Sequence, residues 1–255
     1  MYHRISPVPD SPLATAAAAV RSLAAYVTVS LYVLIVGAPF VLFALIIGSP
    51  AVLYRVGLVG VNLGLWLSGI KMRVEGGHHI HRERAAVYAV NHASNVEPPI
   101  LFRALRDLFP RLRILYKAEL RKLPILTRAF DLAGFVPLER GNRDQSLPAI
   151  ERAAEALRAG NSFLIFPEGT RSRTGQLLPF KKGGFIMALQ DQAPVVPVAI
   201  SGARSAMRKG SPIIRPVTVT VRFGEPVETA GLTLDDRDRL VATVRETVEA
   251  LLSSV

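Results

Sequence analysis

The chain has 255 residues, none of them cysteine, and carries 31 Lys and Arg against 20 Asp and Glu, a formal net charge of +11. The lack of cysteine excludes disulfides, cysteine–zinc sites, iron–sulfur clusters and a thiol nucleophile, and a hydrophobic content of 50% excludes a disordered chain. A mean hydropathy of +0.31 together with an isoelectric point near 10.5 favours contact with a surface that is both apolar and anionic, such as a membrane.

A long apolar segment comes first in the chain, and no charged residue occurs from Ser22 to Tyr54. Its most hydrophobic part, Tyr26 to Gly48, exceeds the roughly 20 apolar residues that span hydrocarbon, and it is too long for a secretory signal. A second apolar run of 15 residues follows Arg55, beyond the turn Gly48-Ser49-Pro50. As a helix it would rise only about 22 Å, which favours dipping into one leaflet over a second crossing.

These two runs predict an N-terminal helical hairpin over residues 1–70 that associates with a membrane. Basic residues flank its open ends: Arg4, Arg21, Lys71 and Arg73. By the positive-inside rule, both ends face the cytoplasm, which predicts the inner (cytoplasmic) membrane with the rest of the chain on its cytoplasmic face. The alternative is a hairpin buried in the core of a soluble protein.

Positive charge is concentrated in the middle of the chain. Residues 102–184 hold 16 basic and 8 acidic residues, which is +8 of the total +11. Such a region attracts phosphates, anionic lipid or nucleic acid. We expect no nucleic-acid partner, because the region has no zinc pattern and lacks the interleaved aromatic residues of a base-stacking surface.

After residue 70, short β-rich runs alternate with amphipathic helical patterns. The predicted strands are Met72–Glu75, Ala86–Val90, Ile114–Tyr116, Phe135–Leu138, Phe163–Phe166, Val195–Ile200 and Val217–Phe223. The predicted helices are Pro98–Leu108, Leu120–Leu132, Gln145–Ala159, Lys182–Gln190 and Leu234–Ser253. This alternation predicts an α/β domain over residues 71–255, with a mostly parallel sheet flanked by helices.

The first motif, Asn91-His92-Ala93-Ser94-Asn95-Val96-Glu97, follows a predicted strand and opens a helix. His92 and Glu97 are five positions apart, so they cannot pair on one helix but can pair across a strand-to-helix turn. A carboxylate that holds one imidazole nitrogen fixes the tautomer and leaves the other nitrogen as a base. Taken alone, a histidine followed by a carboxylate is weak evidence.

The second motif, Phe166-Pro167-Glu168-Gly169-Thr170-Arg171-Ser172, ends another predicted strand. Gly169 permits a tight turn whose N–H groups face an anion, and the Arg171 guanidinium matches phosphate geometry. A plain β-turn with a surface arginine is the alternative.

Two further cations lie at the ends of other predicted strands. Arg140 is the last residue of the motif Gly134–Arg140, and Lys117 follows the run Arg-Ile-Leu-Tyr. The histidines at positions 78, 79 and 81 follow a Gly-Gly turn, and we expect a solvent loop there and no metal site.

Four blocks in order carry a resemblance: NHASNVE, GFVPLER, FPEGTRS and VVPVAI. In this order the chain resembles, over roughly residues 70–225, the 1-acylglycerol-3-phosphate (lysophosphatidic acid) acyltransferases. These are glycerolipid acyltransferases whose bacterial members make phosphatidic acid. The family has aspartate where this chain has Glu97, which keeps the charge and adds one methylene.

The resemblance implies transfer of an acyl chain from an acyl thioester to the free hydroxyl of lysophosphatidic acid. His92 is then the general base, oriented by Glu97. The family binds the acceptor phosphate with its second and third blocks, which here supply Arg140, Glu168, Gly169, Thr170 and Arg171. Neighbouring Asn91, Ser94 and Lys117 complete the expected substrate-binding set.

Some of these roles have a physical argument of their own. The charge of Glu168 repels phosphate, so we expect this side chain to brace an arginine or the turn. Direct transfer is favoured over an acyl-Ser94 intermediate, because no glycine-flanked nucleophile elbow surrounds Ser94. No cofactor is expected. The expected partners are the phospholipid membrane, lysophosphatidic acid, and either acyl-CoA or acyl carrier protein as co-substrate.

Three alternatives remain open at this point. The first is an acyltransferase of the same kind whose acceptor is another lysophospholipid or a lyso-aminolipid. The second is a non-catalytic lipid binder in which Glu97 marks the loss of catalytic activity. The third is a membrane-anchored protein that binds nucleic acid, which predicts salt-sensitive binding to DNA or RNA and no thioester turnover.

Overall fold

The structure is a computed structural model that describes residues 11–122, 124–139 and 143–254. In this part of the chain the α-helices are α1 (Pro12–Tyr32), α2 (Ala38–Ile47), α3 (Pro50–Ser68), α4 (Glu97–Ala104), α5 (Pro124–Leu132), α6 (Arg143–Arg158), α7 (Gly183–Gln190), α8 (Ala203–Ala206) and α9 (Arg237–Ser253). The strands are β1 (Lys71–Glu75), β2 (Val87–Val90), β3 (Leu112–Lys117), β4 (Val136–Leu138), β5 (Ser162–Ile165), β6 (Val195–Ser201) and β7 (Thr218–Phe223). Each predicted strand and helix is present, with ends shifted by a few residues, whereas the short helix α8 was not predicted.

The N-terminal helices form the predicted hairpin. Helix α1 continues through a π-helical turn, Val33–Gly37, into α2, and α3 returns to pack against α1. Gly48 ends α2 in the left-handed conformation, with a φ of 64°, and Pro50 starts α3 at a position where its missing N–H costs nothing. Arg4, one of the predicted flanking cations, lies outside the described residues.

The expected length of the second arm is wrong. Helix α3 has 19 residues rather than 15, because it starts at Pro50 and carries Arg55 exposed on its surface. One charged residue on the outside of a helix does not end it, so the uncharged run was a poor guide to the start of α3. Two helical segments are therefore long and apolar enough to cross a membrane, Pro12–Ile47 and Pro50–Ser68.

Large apolar side chains of the hairpin face outward. Ile35 is 68% exposed and Ile46 is 75% exposed, and they are accompanied by Leu23, Leu31, Val33, Leu34, Leu42, Phe43 and Ile47. A hairpin buried in a soluble core would hide these side chains. A continuous exposed apolar surface of this kind is typical of contact with a membrane or with another protein.

The strands form one sheet in the order β1-β7-β6-β2-β5-β3-β4 within the described residues. Neighbouring strands are parallel except for β6 and β7, which are antiparallel. The predicted mostly parallel sheet is therefore confirmed. The antiparallel pair arises because the chain turns back through α8 and the segment after it, without a crossover helix long enough to restore the strand direction.

The core has two layers, one on each face of the sheet. Along β2, Tyr88 and Val90 join the layer beneath α3 and α4, while Val87 and Ala89 join the layer beneath α6, α7 and α9. This alternation follows from the two-residue period of a strand. Because both faces are covered, the central strands are apolar at nearly every position, which is why they were recognisable in the sequence.

Tyr54 attaches the hairpin to the sheet. It is buried, its hydroxyl donates to Leu112 O in β3, and its ring lies 4.5 Å from that of Phe109 and 5.7 Å from that of Phe102. The contact joins α3 to the first residue of β3, the strand next to the edge of the sheet. The hairpin is therefore packed on the domain and not merely tethered to it.

Replacing Tyr54 with alanine is expected to lower the free energy of unfolding by about 3–5 kcal/mol, because a buried aromatic ring is lost and a cavity remains. Replacing it with phenylalanine removes only the hydroxyl and is expected to cost about 1 kcal/mol. Denaturant unfolding in detergent micelles measures both. A Tyr54→Ala variant as stable as wild type would contradict the packing of α3 against β3.

Candidate active site

The site lies where the central strands end. Strands β2 and β5 are parallel neighbours, so their carboxyl ends open at the same edge of the sheet. The loop that begins at Asn91 leaves one strand there, and the loop that begins at Phe166 leaves the other. Ligand sites of open α/β sheets form at such an edge, and the first and third sequence blocks meet here.

Asn91 continues the sheet with its side chain. Its Nδ2 donates to Ile200 O at 3.1 Å, and its Oδ1 accepts from Ile200 N–H at 2.7 Å. The amide therefore pairs with β6 as a backbone unit would, and it holds the first block to the fourth. The structure gives Asn91 a positioning role, and its contact with substrate stays a prediction.

His92 and Glu97 form a close pair across the turn between β2 and α4. His92 Nδ1 lies 2.7 Å from Glu97 Oε2, and Ala93 N–H donates to both carboxylate oxygens at 2.9 and 3.0 Å. Glu97 has no exposed surface and is the first residue of α4, where the helix dipole favours a negative charge. The longer side chain of glutamate therefore still reaches the imidazole, as expected from the spacing.

The environment of this pair sets the tautomer of the imidazole. Burial raises the pKa of Glu97, while its hydrogen bonds with His92 and with the backbone at Ala93 act in the opposite direction. An ionised Glu97 accepts a hydrogen bond from Nδ1–H, which keeps the proton on Nδ1 and leaves Nε2 with a free lone pair. Nε2 makes no hydrogen bond to a described residue, and the ring stacks on Phe166 with centroids 4.2 Å apart.

Glu168 braces the third block against the first. This buried carboxylate accepts from His92 N–H at 2.6 Å through Oε1 and from Leu178 N–H at 3.0 Å through Oε2. Ser172 N–H in turn donates to His92 O at 2.7 Å. The third block thus holds the backbone of His92 at both its N–H and its C=O. Glu168 was expected to brace an arginine or the turn, and its side chain bonds two backbone N–H groups, of His92 and of Leu178.

Burial raises the pKa of Glu168 from about 4.5 to about 7, and the neighbouring charge of Glu97 adds to the increase. The two backbone N–H groups and, more weakly, Arg245 act against it. Between about pH 4.5 and pH 7 the folded protein therefore binds more protons at this site than the unfolded chain does. Stability falls as pH rises through that window.

The Glu168→Gln variant is expected to lose this pH dependence, which amounts to up to about 3 kcal/mol between pH 4.5 and pH 7. The measurement is the thermal unfolding midpoint of wild type and variant in detergent at a series of pH values. The exposed carboxylate of Glu225 supplies a matched control, Glu225→Gln. Parallel pH profiles for wild type and Glu168→Gln would show that Glu168 titrates normally and is not held as described.

The turn that follows Glu168 leaves a cation unpaired. Gly169 has a φ of 67°, which a side chain rarely adopts, and a Cβ at this position would meet Lys181 Cε at 2.8 Å. Thr170 is exposed, and the half-buried Arg171 guanidinium has no hydrogen bond or ion pair with a described residue. The turn therefore presents a planar donor group that is ready for an anion.

The other predicted residues are placed less centrally. Ser94 is fully buried, and its hydroxyl donates to Met207 O at 2.7 Å. Lys117 ends β3, two strands from β2 in the sheet, and pairs with Glu119 at 2.7 Å. Arg140 lies outside the described residues. The structure thus brings together the first, third and fourth blocks and gives Ser94 a buried backbone contact.

Lys209 belongs to the same neighbourhood and was not singled out in the sequence. Its Nζ lies 3.0 Å from Arg171 O and 3.4 Å from Thr170 Oγ1. Lys209 follows α8 in a loop that contains none of the four motifs. The only local signal in the sequence is a basic residue next to a glycine, which is too common to indicate a site. Among the described residues, no cluster of three or more His, Asp or Glu is placed to hold a metal ion.

Comparison with known proteins identifies relatives of this chain. The family model described as Acyltransferase matches residues 71–201. The chain is 35% identical over 186 residues to the 1-acyl-sn-glycerol-3-phosphate acyltransferase of Limnanthes douglasii, covering 72% of this chain and 64% of that protein. It is 32% identical over 184 residues to the human 1-acyl-sn-glycerol-3-phosphate acyltransferase alpha, again covering 72% and 64%. The chain therefore spans less than two thirds of the length of either relative.

A solved structure resembles almost the whole chain. It is the crystal structure of the 1-acyl-sn-glycerophosphate (LPA) acyltransferase PlsC from Thermotoga maritima, with a TM-score of 0.78 and 25% sequence identity. The match covers 94% of this chain and 98% of the other. The similarity therefore includes the N-terminal hairpin as well as the sheet.

Proposed function

The chain belongs to the acyltransferase family, and on that premise we propose that it transfers an acyl chain from a thioester to the free hydroxyl of 1-acylglycerol 3-phosphate. The product is phosphatidic acid, a precursor in phospholipid synthesis. The observation that carries the proposal is that the buried pair of His92 and Glu97 is hydrogen-bonded to the turn that carries the unpaired cation Arg171. His92 is held by Glu97 and, through its backbone, by the turn that carries Arg171. The names of the relatives point to the same reaction.

His92 acts as the general base in the proposed reaction. Ionised Glu97 holds Nδ1–H, so Nε2 takes the proton of the acceptor hydroxyl as its oxygen attacks the thioester carbonyl. The tetrahedral intermediate collapses with cleavage of the carbon–sulfur bond. The imidazolium then returns its proton to the departing thiolate, which leaves an ester, a free thiol and a neutral imidazole.

Transfer is direct rather than through an acyl-enzyme. Ser94 is the hydroxyl nearest to His92 in the sequence, but it is fully buried and donates its proton to Met207 O. An acylated Ser94 would lose that hydrogen bond and place a long chain in the core. The acyl donor and the acceptor are therefore bound together when the acyl group moves.

The acceptor phosphate binds at the turn that follows β5. Arg171 offers a two-pronged donor group, and Gly169 allows the backbone to approach the anion closely. Arg140, from the second block, and Thr170 are assigned to the same phosphate. Glu168 supports this turn through its two backbone hydrogen bonds and does not contact the phosphate.

The remaining assignments concern the membrane and the donor. The hairpin of residues 1–70 holds the domain of residues 71–255 at the cytoplasmic face of the inner membrane, where both acyl chains stay in the bilayer. The donor is acyl-CoA or acyl carrier protein, and either suits the basic segment 102–184. No metal or other cofactor takes part in the steps above.

The test is an acceptor and donor panel with the purified protein in phosphatidylcholine liposomes. Lysophosphatidic acid, lysophosphatidylcholine and 1-monoacylglycerol are each supplied with labelled acyl-CoA and, separately, with labelled acyl carrier protein. We expect labelled phosphatidic acid from lysophosphatidic acid and little product from the other two. Product from another acceptor alone would overturn the proposed acceptor, and no product with any acceptor or donor would favour the non-catalytic lipid binder.

A further inference from the structure

Residues Met207–Ile214, here called the strap, connect the hairpin to the site. At its start, Met207 O accepts a hydrogen bond from Ser94 Oγ at 2.7 Å. At its end, Ile214 N–H donates to the buried Ser22 Oγ of α1 at 2.8 Å, and Ser22 Oγ lies 3.2 Å from Ile214 O. The strap is thus fixed both to the loop that carries His92 and to a helix of the hairpin. It lies outside residues 71–201, which match the family model.

Between these two anchors, the strap carries Lys209 to the turn that follows β5. Lys209 Nζ lies 3.0 Å from Arg171 O. The same peptide unit presents Ser172 N–H, which donates to His92 O at 2.7 Å. A single peptide unit therefore separates the lysine ammonium from the backbone of His92.

In the part of the chain that the structure describes, neither Lys209 nor Arg171 has an ion-pair partner. The two nearby carboxylates, Glu97 and Glu168, are buried and bonded to His92 and to backbone N–H groups. Lys209 thus brings a second positive charge to the turn that carries Arg171, and an anion bound there offsets the repulsion between like charges.

We propose that Lys209 is a further residue that binds the phosphate of the acceptor, together with Arg171. The inference rests on the proposed function, because it takes the phosphate of a lysophospholipid as the anion. The ammonium of Lys209 has three N–H donors, and its short contact with Arg171 O uses one of them. The contact with Thr170 Oγ1 is long, at 3.4 Å, so donors remain for a phosphate. Lys209 thus supplies a point charge beside the planar guanidinium of Arg171.

The competing interpretation is that Lys209 only clamps the turn to the strap. Removing a clamp lowers stability and leaves the KM for lysophosphatidic acid unchanged, whereas removing a phosphate ligand raises that KM. Lys209→Met keeps the apolar stem and removes the charge. Arg208→Met is the matched control, because Arg208 is the exposed neighbour on the same strap, and its side chain has no hydrogen bond or ion pair with a described residue.

The experiment measures steady-state acylation of lysophosphatidic acid in liposomes of zwitterionic phosphatidylcholine, which removes the attraction of a charged surface. For Lys209→Met we expect the KM for lysophosphatidic acid to rise roughly 10- to 100-fold, the usual consequence of losing a charge-assisted hydrogen bond. The kcat and the KM for the acyl donor should stay near wild type. Arg208→Met should match wild type throughout, and Lys209→Arg should restore most of the acceptor affinity.

A second measurement separates this inference from the proposed function. Glycerol 3-phosphate binding, followed by the shift of the thermal unfolding midpoint, reports on the phosphate site whether or not acyl transfer is observed. We expect a shift for wild type and Arg208→Met and a much smaller one for Lys209→Met. An equal shift in all three proteins, or a Lys209→Met variant that loses kcat and stability with an unchanged acceptor KM, would overturn the inference in favour of the clamp.

Discussion

The His92→Ala variant is expected to transfer acyl groups with a kcat about 10²–10⁴-fold below that of wild type, which is the usual contribution of a positioned general base. The KM for lysophosphatidic acid should change little, because the imidazole accepts a proton only as the reaction proceeds. The fold should survive the change. His92 is held through its backbone, by Glu168 on its N–H and by Ser172 on its C=O, and alanine keeps both groups.

Initial rates with saturating donor and varied acceptor give both constants for this variant. A matched control is His78→Ala, which removes an imidazole from an exposed position in the short helical turn after β1. We expect His78→Ala to retain wild-type kcat. A His92→Ala variant with kcat within a few-fold of wild type would show that the base is another group.

The Glu97→Gln variant is expected to lower kcat by about 10³–10⁴-fold with little change in size or shape. The amide of glutamine has one acceptor oxygen and one NH₂ donor group where the carboxylate has two acceptor oxygens. Since Ala93 N–H requires an acceptor, the NH₂ group would face His92 Nδ1. The imidazole would then carry its proton on Nε2, the nitrogen that has to accept one.

Glu97→Asp is the informative companion to this variant, because it keeps the charge and removes one methylene. The shorter side chain weakens one of the two contacts, with His92 or with Ala93, so we expect a loss of about 10-fold or less, far smaller than for Glu97→Gln. The measurement is kcat at saturating substrates for wild type and both variants. Activity that appeared only in Glu97→Asp would identify the wild-type chain as a non-catalytic relative.

Much of the fold was accessible from the sequence, for reasons visible in particular elements. Strand β6 is an uninterrupted apolar run because both faces of the sheet are covered at its position. The meeting of His92 with the turn after β5 followed from the rule that sites gather at the carboxyl ends of parallel strands. The strand order was not predicted, because no local pattern indicates which strands pair.

The parts of the site that were missed depend on contacts between distant residues. Glu168 was expected to brace an arginine or the turn, whereas its hydrogen bond to His92 N–H joins residues 76 positions apart. Ser22 and Ile214 are 192 positions apart, and nothing in the sequence near either one indicates the other. Lys209 was missed for the same reason, since its importance comes from the position of the strap and not from its neighbours in the chain.

The central claim is that the protein acylates lysophosphatidic acid with His92, held by Glu97, as the general base, and product analysis of one pair of reactions tests it most directly. Wild type and His92→Ala, each in liposomes, receive lysophosphatidic acid with labelled acyl donor, and the labelled lipids are identified by mass spectrometry. The account predicts labelled phosphatidic acid from wild type and at most a trace from His92→Ala. Equal amounts from both proteins, or no labelled phosphatidic acid from wild type, would contradict it.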